Sequence, residues 1–305
     1  MKIKKVLAIL AVLGFAFYKI KEKYNKTEGN IEEKYILVTG ASTGIGRGIV
    51  EDLADKGYNV FATVRKDSDF ETLANLSSKI IPVKMDVTDY DSILKAKEIV
   101  KEKLGTNKLY SLINNAGIAV SGPMELISVE ELRRQFEVNY FGVVNTTQVF
   151  FELLDKNNSK IINMSSVGGK VASPFMGPYN ASKFALEAMS DSLRRELFNS
   201  NIEVIVIQPG MIETPIWDKA EEIDVDKYRD SAYIETLEKM KDKIIEKGKN
   251  SAPVELVSRT IIDILGRKTN KTRYWVSGAP IVEVFIPRML PDKAVDFIVN
   301  KFIRL

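Results

Sequence analysis

A tyrosine and a lysine stand four residues apart in a stretch that otherwise has the composition of a helix. They are Tyr179 and Lys183 in PYNASKFALEA, which runs from Pro178 to Ala188. Residues i and i+4 share one helix face, so the lysine ammonium would lie beside the phenol and favour its ionised form. Such a pair can move a proton near neutral pH, which matters in a chain with no histidine. By itself, the same spacing also occurs by chance on ordinary half-exposed helix faces.

The residue types that the chain lacks narrow its chemistry. Its 305 residues include no cysteine and no histidine, which excludes disulfides, zinc–thiolate sites, thiol nucleophiles and the Ser-His-Asp triad, and no metal site is predicted. The 44 basic and 41 acidic residues form no long basic block, so no nucleic-acid partner is expected. The apolar fraction of 45% is that of a folded globular protein.

The first thirty residues differ from the rest of the chain. Lysines flank Val6–Tyr18, thirteen uncharged and almost wholly apolar residues, and a polar tether follows. A bilayer span needs about 20 residues, although about 17 can suffice. We predict that residues 1–30 are an uncleaved membrane anchor that need not span fully, with the remaining chain facing the cytosol. The alternatives are a cleaved signal peptide, with Gly14 and Ala16 as a weak cleavage site, and a buried core helix.

From about Glu33 onward, short β-branched runs alternate with longer helical patterns. The runs are almost continuously apolar, which is typical of strands covered on both faces in a parallel sheet. The alternation predicts an α/β fold: a Rossmann-type, doubly wound, mostly parallel seven-stranded sheet in a three-layer α/β/α sandwich, with residues 31–305 as a single domain. The predicted strands are Tyr35–Gly40, Asn59–Val64, Ile80–Asp86, Leu109–Gly117, Lys160–Ser166, Ile202–Gly210 and Thr272–Gly278.

Two later segments depart from this alternation. Residues 211–250 are long, charged and helical in pattern, and they leave the carboxyl end of the sixth strand, where ligands of such sheets bind. We predict that they form a substrate lid; a solvated helical excursion is the alternative. The C-terminal extension, residues 280–305, would cap the substrate pocket, lie on a membrane or pack as a core helix. The predicted helices include Ile45–Lys56, Tyr90–Leu104, Val129–Leu154 and Ser182–Asn199.

A glycine-rich turn joins the first strand to the first helix. In LVTGASTGIGRG, the glycines Gly40, Gly44 and Gly46 permit a tight turn, a close approach of backbone to a pyrophosphate, and close packing of helix on strand. The helix N-terminus then offers free N–H groups to the phosphates. The context of strand before and helix after predicts a dinucleotide site rather than a plain turn.

The motifs together resemble the classical short-chain dehydrogenases/reductases (SDR). The resemblance covers Tyr35 to Gly278 and rests on the Gly-x-x-x-Gly-x-Gly spacing, NNAG at Asn114–Gly117, the Tyr-x-x-x-Lys pair, and PG at Pro209-Gly210. SSVGG, YNASKFALEAMSDSLRREL and PGMIETP are most similar to the hydroxysteroid and retinol dehydrogenase branch. The resemblance implies cofactor contacts from Gly40, Ser42, Thr43, Gly44, Ile45, Gly46, Arg65, Asp86, Val87, Asn115, Ala116, Gly117, Tyr179, Lys183, Pro209, Gly210, Ile212 and Thr214.

The end of the second strand bears on which nicotinamide cofactor is bound. A carboxylate there would bind the ribose 2′-hydroxyl and repel a 2′-phosphate, but the sequence has Val64 followed by Arg65 and Lys66. The arginine fork suits a phosphate, and Thr43 in the glycine turn adds a hydroxyl. We therefore predict NADP(H) rather than NAD(H). The alternative is that both cations are solvated surface residues.

The resemblance also extends the Tyr179–Lys183 pair to four residues. Ser166, thirteen residues before the tyrosine, matches the family's serine, which hydrogen-bonds the substrate oxygen; Ser165 is the adjacent alternative. Asn139 matches the asparagine that holds a water relaying protons from the lysine. The implied catalytic residues are thus Asn139, Ser166, Tyr179 and Lys183.

These features predict an NADP(H)-dependent oxidoreductase that interconverts a carbonyl and an alcohol. The branch and the apolar N-terminus favour a lipophilic substrate such as a steroid or retinoid, with a long-chain 3-oxo lipid or 3-oxoacyl group as the next candidate. A catalytically silent NADP(H)-binding sensor or scaffold is the alternative of another class. A homodimer or homotetramer is implied by the family alone.

Overall fold

A seven-stranded parallel sheet forms the centre of the molecule. The structure is a computed structural model that describes residues 31–214, 225–249, 251–278 and 289–303. Within them the strand order is β3-β2-β1-β4-β5-β6-β7, and every neighbouring pair is parallel. The strands are β1 (Tyr35–Val38), β2 (Asn59–Val64), β3 (Ile80–Lys84), β4 (Leu109–Asn114), β5 (Ser159–Met164), β6 (Ile202–Pro209) and β7 (Arg273–Val276). The predicted Rossmann-type, doubly wound sheet is confirmed.

Helices cover both faces of the sheet. Successive strand residues point to opposite faces, and in β1 Ile36 and Val38 enter one apolar cluster while Leu37 enters the other. The helices are α1 (Gly44–Asp55), α2 (Asp67–Ala74), α3 (Tyr90–Leu104), α4 (Val129–Phe136), α5 (Gly142–Phe150), α6 (Gly177–Glu196), α7 (Ile234–Lys249), α8 (Glu255–Leu265) and α9 (Asp292–Ile303). The first cluster packs on α1 and α8, and the second on α3 and α5, giving three layers.

Two predicted helices differ from the structure in detail, and a third helix was not predicted. The predicted helix Val129–Leu154 is divided into α4, a π-helical turn at Glu137–Phe141, and α5. α6 begins at Gly177 rather than Ser182, because Pro178 suits the first turn of a helix, where its missing N–H costs nothing. The sequence analysis missed α2, which is short, largely exposed and rich in acidic residues.

The strand order reverses beside β1, since β2 lies on one side of it and β4 on the other. Chains leaving the carboxyl ends of β1 and β4 therefore diverge to opposite faces and leave a crevice between them. The glycine-rich turn follows β1, and the NNAG motif closes β4 at the same edge. The fold thus brings these two predicted cofactor segments together.

Part of the predicted lid packs on the loops at this edge. Tyr228 and Leu237 form a small buried cluster with Phe175, and the Lys227 ammonium lies 2.6 Å from the Glu131 carboxylate. The lid role itself stays a prediction. The predicted anchor at residues 1–30 lies outside the described residues, as do parts of the 211–250 and 280–305 segments. Among the helices that the structure describes, none has the length and apolar character needed to cross a bilayer.

We expect Phe61→Ala to destabilise the protein by about 3–5 kcal/mol, because truncating a buried phenylalanine loses apolar burial and leaves a cavity. Phe61 on β2 is fully buried and stacks on Tyr35, with ring centroids 5.9 Å apart. The free energy of unfolding from denaturant titration measures the loss. Phe198→Ala is the matched control, since Phe198 is 81% exposed, and equal losses for the two variants would contradict the assigned core.

Candidate active site

Tyr179 and Lys183 lie on one face of α6, in its first two turns. The Lys183 side chain is buried, and its Nζ donates a hydrogen bond of 2.8 Å to the backbone oxygen of Met164, the last residue of β5. The same Nζ lies 5.7 Å from the centre of the Tyr179 ring. The i, i+4 pair of the sequence therefore faces the carboxyl end of the sheet rather than solvent.

Ser166 follows β5 and contacts the tyrosine. Its Oγ accepts a 3.0 Å hydrogen bond from the Gly168 N–H, and a Cβ added to Gly168 would lie 3.4 Å from Ser166 Oγ and 3.3 Å from Tyr179 Cε1, which places the two side chains together. Ser165, the alternative from the sequence, is buried beside Glu187 instead. The structure thus brings Ser166, Tyr179 and Lys183 together and leaves Ser165 on the other side of the turn.

Burial sets the protonation of this pair. It raises the pKa of Tyr179, and the hydrogen bond from Ser166 opposes that rise. Burial also lowers the pKa of Lys183 to about 8, against the opposing charge of Glu187. The expectation that the lysine would lower the pKa of Tyr179 is therefore wrong for this structure, because desolvation of the phenolate is the larger effect. At neutral pH the phenol keeps its proton and most of the lysine is charged.

Asn139 lies in the π-helical turn between α4 and α5 and is fully buried. Its Oδ1 accepts from the Ile118 N–H at 2.9 Å, while its Nδ2 donates to the Ile118 oxygen at 3.0 Å and to Ser182 Oγ at 3.2 Å. π turns are frequent at functional sites because they re-aim side chains out of the helical register. The amide of Asn139 thus fixes the loop after β4 against α6, and its predicted role in holding a water does not follow from these contacts.

Gln135 is a site residue that the sequence analysis missed. It is fully buried near the end of α4, one turn before Asn139, and its Oε1 accepts from the Val120 N–H at 2.6 Å while its Nε2 donates to the Ile118 backbone oxygen at 2.9 Å. The nearby Ser182 Oγ donates a hydrogen bond of 2.7 Å to the backbone oxygen of Tyr179. A glutamine on an amphipathic helix is usually solvated, so its type alone does not indicate a buried role. The spacing of four residues between Gln135 and Asn139, which puts both on one helix face, was the sequence feature that could have indicated it.

The glycine turn after β1 is closely packed against the NNAG segment. Gly40 has φ +67°, and a Cβ added there would lie 2.8 Å from the Ala116 Cα. A Cβ on Gly46 would lie 2.1 Å from the Gly40 oxygen and 2.4 Å from Asn115 Nδ2. The Asn115 amide donates to the oxygens of Thr39 and Gly40 at 2.9 and 3.1 Å. The turn therefore has no room for side chains at Gly40 and Gly46.

The N-terminus of α1 suits a phosphate. The Thr43 side chain makes no capping hydrogen bond, and the first turn of α1 contains no acidic residue. The first N–H groups and the positive end of the helix dipole are therefore free to bind an anion. Ser42, Gly44 and Ile45 belong to the same turn. These features fit the pyrophosphate of a dinucleotide.

The remaining predicted cofactor residues lie at the carboxyl ends of neighbouring strands. Arg65, after β2, has a side chain 70% exposed and 3.9 Å from the Asp86 carboxylate, which follows β3. A Cβ on Gly117 would lie 3.8 Å from Lys183 Nζ, which places the end of the NNAG segment beside the predicted catalytic lysine. Val87, Pro209, Gly210, Ile212 and Thr214 follow or close β3 and β6 at the same edge.

Comparison with known proteins identifies the family. The family model described as short chain dehydrogenase matches residues 34–224, more than half of the chain. The chain belongs to the classical short-chain dehydrogenases/reductases. It is therefore an oxidoreductase of this family and has a site for a nicotinamide dinucleotide.

Three similar proteins illustrate the range of the family. An NADPH-dependent 3-dehydrocapnine reductase from Ornithobacterium rhinotracheale is 37% identical over 277 residues, which cover 88% of this chain and 96% of that protein. A 3-ketodihydrosphingosine reductase from Bacteroides thetaiotaomicron is 33% identical, covering 89% and 98%. A short-chain dehydrogenase/reductase from Burkholderia phymatum, solved in complex with NAD, superimposes with a TM-score of 0.73 at 22% identity, covering 88% and 96%, and shows the shared fold.

We expect Gly46→Ala to weaken binding of the nicotinamide dinucleotide at least about tenfold, because the added methyl meets backbone and forces the phosphate turn open. Isothermal titration calorimetry with NADPH and NADH measures the dissociation constants. Gly278→Ala is the matched control, since a Cβ there has no heavy atom within 4 Å among the residues that the structure describes. Unchanged affinity in Gly46→Ala would contradict the placement of the phosphates at this turn.

Proposed function

We propose that this short-chain dehydrogenase/reductase reduces the carbonyl group of a lipophilic substrate with NADPH, and catalyses the reverse oxidation. The observation that supports this most strongly is the meeting of Ser166, Tyr179 and Lys183 beside Gly117, next to the glycine turn. A proton donor, an oxygen-binding hydroxyl and a cation are thus grouped at the edge where the dinucleotide would lie.

Each of the three side chains has a defined task in the proposed reduction. The bound cofactor would supply a hydride to the carbonyl carbon. The Ser166 hydroxyl binds the carbonyl oxygen and stabilises the negative charge that develops on it. Tyr179, whose pKa is raised by burial, keeps its proton at neutral pH and gives it to that oxygen. The Lys183 ammonium then stabilises the tyrosinate that remains.

Asn139 and Gln135 hold the loop after β4 in place during this reaction. Their amides bind both backbone groups of Ile118 and the N–H of Val120. The same loop continues from Gly117, so it shapes the space between the dinucleotide and the substrate. We therefore assign both amides a positioning role.

The preference for NADP(H) is also a proposal. The last residue of β2 is Val64 rather than an acid, and the Arg65 guanidinium that follows is mostly exposed and 3.9 Å from the Asp86 carboxylate. A similar reductase, from Ornithobacterium rhinotracheale, is NADPH-dependent by name. The NAD complex of the Burkholderia phymatum protein, at 22% identity, bears on the fold alone.

An apolar wall near the site supports a lipophilic substrate. Phe175, two residues before α6, packs with Tyr228 and Leu237, and its ring lies edge-on to Tyr233 with ring centroids 5.8 Å apart. Two of the similar proteins are named as reductases of 3-dehydrocapnine and 3-ketodihydrosphingosine, which favours a long-chain 3-oxo lipid as the second candidate beside a steroid or retinoid. We also propose that residues 1–30 attach the protein to a membrane, from their apolar and lysine-flanked composition.

We expect the full-length protein to oxidise NADPH with lipophilic carbonyls and not with short polar ketones. The panel would contain long-chain 3-oxo lipids, steroid ketones, retinal and short ketones, followed by absorbance at 340 nm. Tyr179→Phe should lower kcat/KM by about 10²–10⁴-fold on every accepted substrate while NADPH still binds, because only the proton donor is lost. Tyr90→Phe, at an exposed position on α3, should retain the full rate.

Other results would favour other functions. NADPH binding without turnover, and no effect of Tyr179→Phe, would support the silent sensor or scaffold. Turnover of short polar ketones alone would contradict the lipophilic substrate class. Turnover of 3-oxo lipids but not of steroids or retinal would select the second candidate.

We expect Arg65→Ala to raise KM for NADPH by about tenfold to a hundredfold and to leave KM for NADH unchanged, because a charge-assisted bond to the 2′-phosphate is lost. Steady-state kinetics with each cofactor measure the ratio. Arg195→Ala is the matched control, since Arg195 is 67% exposed and has a comparable carboxylate, Asp191, at 3.7 Å. A parallel rise for both cofactors in Arg65→Ala would argue against 2′-phosphate recognition.

A further inference from the structure

A buried carboxylate stands one helical turn beyond the catalytic lysine. Glu187 follows Lys183 by four residues on α6, so the two side chains project from the same face of the helix, with Cβ atoms about 5–6 Å apart. The Glu187 side chain is only 4% exposed, and Lys183 is equally buried. Removing a carboxylate from water is costly, so a glutamate at this position needs partners.

Glu187 has partners from three other elements. Its carboxylate lies 3.0 Å from the ammonium of Lys170, in the turn after β5, and accepts hydrogen bonds from Arg273 Nε of β7 at 2.8 Å and Gln208 Nε2 of β6 at 2.7 Å. A Cβ on Gly169 would lie 3.1 Å from the Glu187 Cγ, so the turn that carries Ser166 packs directly on this side chain. The glutamate therefore links α6 to the ends of three strands.

The charges around Lys183 show in which direction Glu187 shifts the protonation of the lysine. On α6, Tyr179 and Glu187 flank the lysine, and Glu187 is the acid whose charge opposes the burial that lowers the pKa of Lys183. From the elements packed against α6, Lys170 and Arg273 face the glutamate, and Arg273 also binds Asp191 at 2.9 Å. Neutralising Glu187 would remove the negative charge and leave Lys170 without this partner and Arg273 with Asp191 as its remaining partner in this cluster. Both changes disfavour an ammonium at Lys183.

We propose that Glu187 is a positioning residue of the reaction: it keeps Lys183 in its charged form and holds the Ser166 turn against α6. The proposal rests on the proposed function, since the charge of Lys183 matters only if Tyr179 is the proton donor. If Glu187 served only to pair with Lys170 and Arg273, it would not have to lie one helical turn from Lys183, and replacing it would not change the titration of Lys183.

The pH dependence of kcat/KM for reduction tests the proposal. A group that must be protonated gives a rate that falls as pH rises through its pKa, so with the pKa of Lys183 at about 8 the fall begins near that pH. In Glu187→Gln the pKa of Lys183 is lower, and we expect the falling limb to move by about one pH unit toward acid. In Glu187→Asp, which keeps the negative charge, kcat/KM should fall at nearly the same pH as in the native protein.

Lys170→Gln is the matched control because it removes a cation from the same cluster. If charge is what matters, its falling limb moves toward higher pH or stays in place. If the limb moves toward acid in both Lys170→Gln and Glu187→Gln, loosening of the turn explains the effect and the proposal is overturned. Equal loss of rate at every pH in Glu187→Gln, with no movement of the limb, overturns it as well.

A second readout is independent of turnover. Titration of the ¹³Cε resonances in protein labelled at lysine follows each amine directly, and the resonance lost in Lys183→Met is assigned to Lys183. We expect its midpoint to fall in Glu187→Gln relative to the native protein; an unchanged midpoint contradicts the proposal. If the native protein shows no NADPH-dependent turnover at all, the proposed function fails, whereas a normal rate with an unmoved midpoint in the variant refutes the role of Glu187 alone.

Discussion

The buried ammonium of Lys183 constrains much of the structure around it. A charge removed from water costs several kcal/mol unless hydrogen bonds and opposite charges replace the lost hydration. Here the Met164 oxygen accepts a bond of 2.8 Å from it and Glu187 supplies the opposite charge. The first partner belongs to the end of β5 and the second to α6. The lysine can therefore be satisfied only when helix and sheet are docked in one register.

A chain of buried polar contacts holds that register. Asn114 of β4 donates to Asn163 of β5 at 2.8 Å, and Asn163 donates to Ser190 of α6 at 2.9 Å. These bonds run across the sheet and onto the helix within two turns of Lys183. Buried polar groups are costly when unpaired, so each such bond disfavours a shifted helix. The same edge of β4 continues into Asn115, whose amide closes the glycine turn. The cofactor side and the catalytic side of the crevice thus share one strand.

The sequence predicted the parts of this arrangement that depend on local pattern. Continuous apolar runs indicated the strands, the glycine spacing indicated the tight turn at Gly46, and the Tyr179–Lys183 spacing indicated that the two side chains share one helix face. It did not predict contacts that depend on tertiary placement: Gln135 resembles a solvated helix residue until the loop after β4 packs on it. The direction in which the pKa of Tyr179 shifts also depends on burial. Burial raises this pKa, whereas the local spacing of Tyr179 and Lys183 suggested that the lysine would lower it.

The structure separates the groups that would react from those that would select the substrate. Ser166, Tyr179 and Lys183 are tied to β5 and α6, the rigid centre of the fold. The apolar cluster of Phe175 and Tyr228 is built instead from loops and the segment after β6, where side chains can change without disturbing the sheet. Phe175 joins the two regions: it has φ +62°, a conformation costing about 1–3 kcal/mol in a non-glycine residue, and its oxygen accepts from the Gly122 N–H at 2.7 Å. Only Met176 separates this strained residue from the start of α6, the helix that carries Tyr179, so the apolar cluster and the predicted proton donor are close neighbours along the chain.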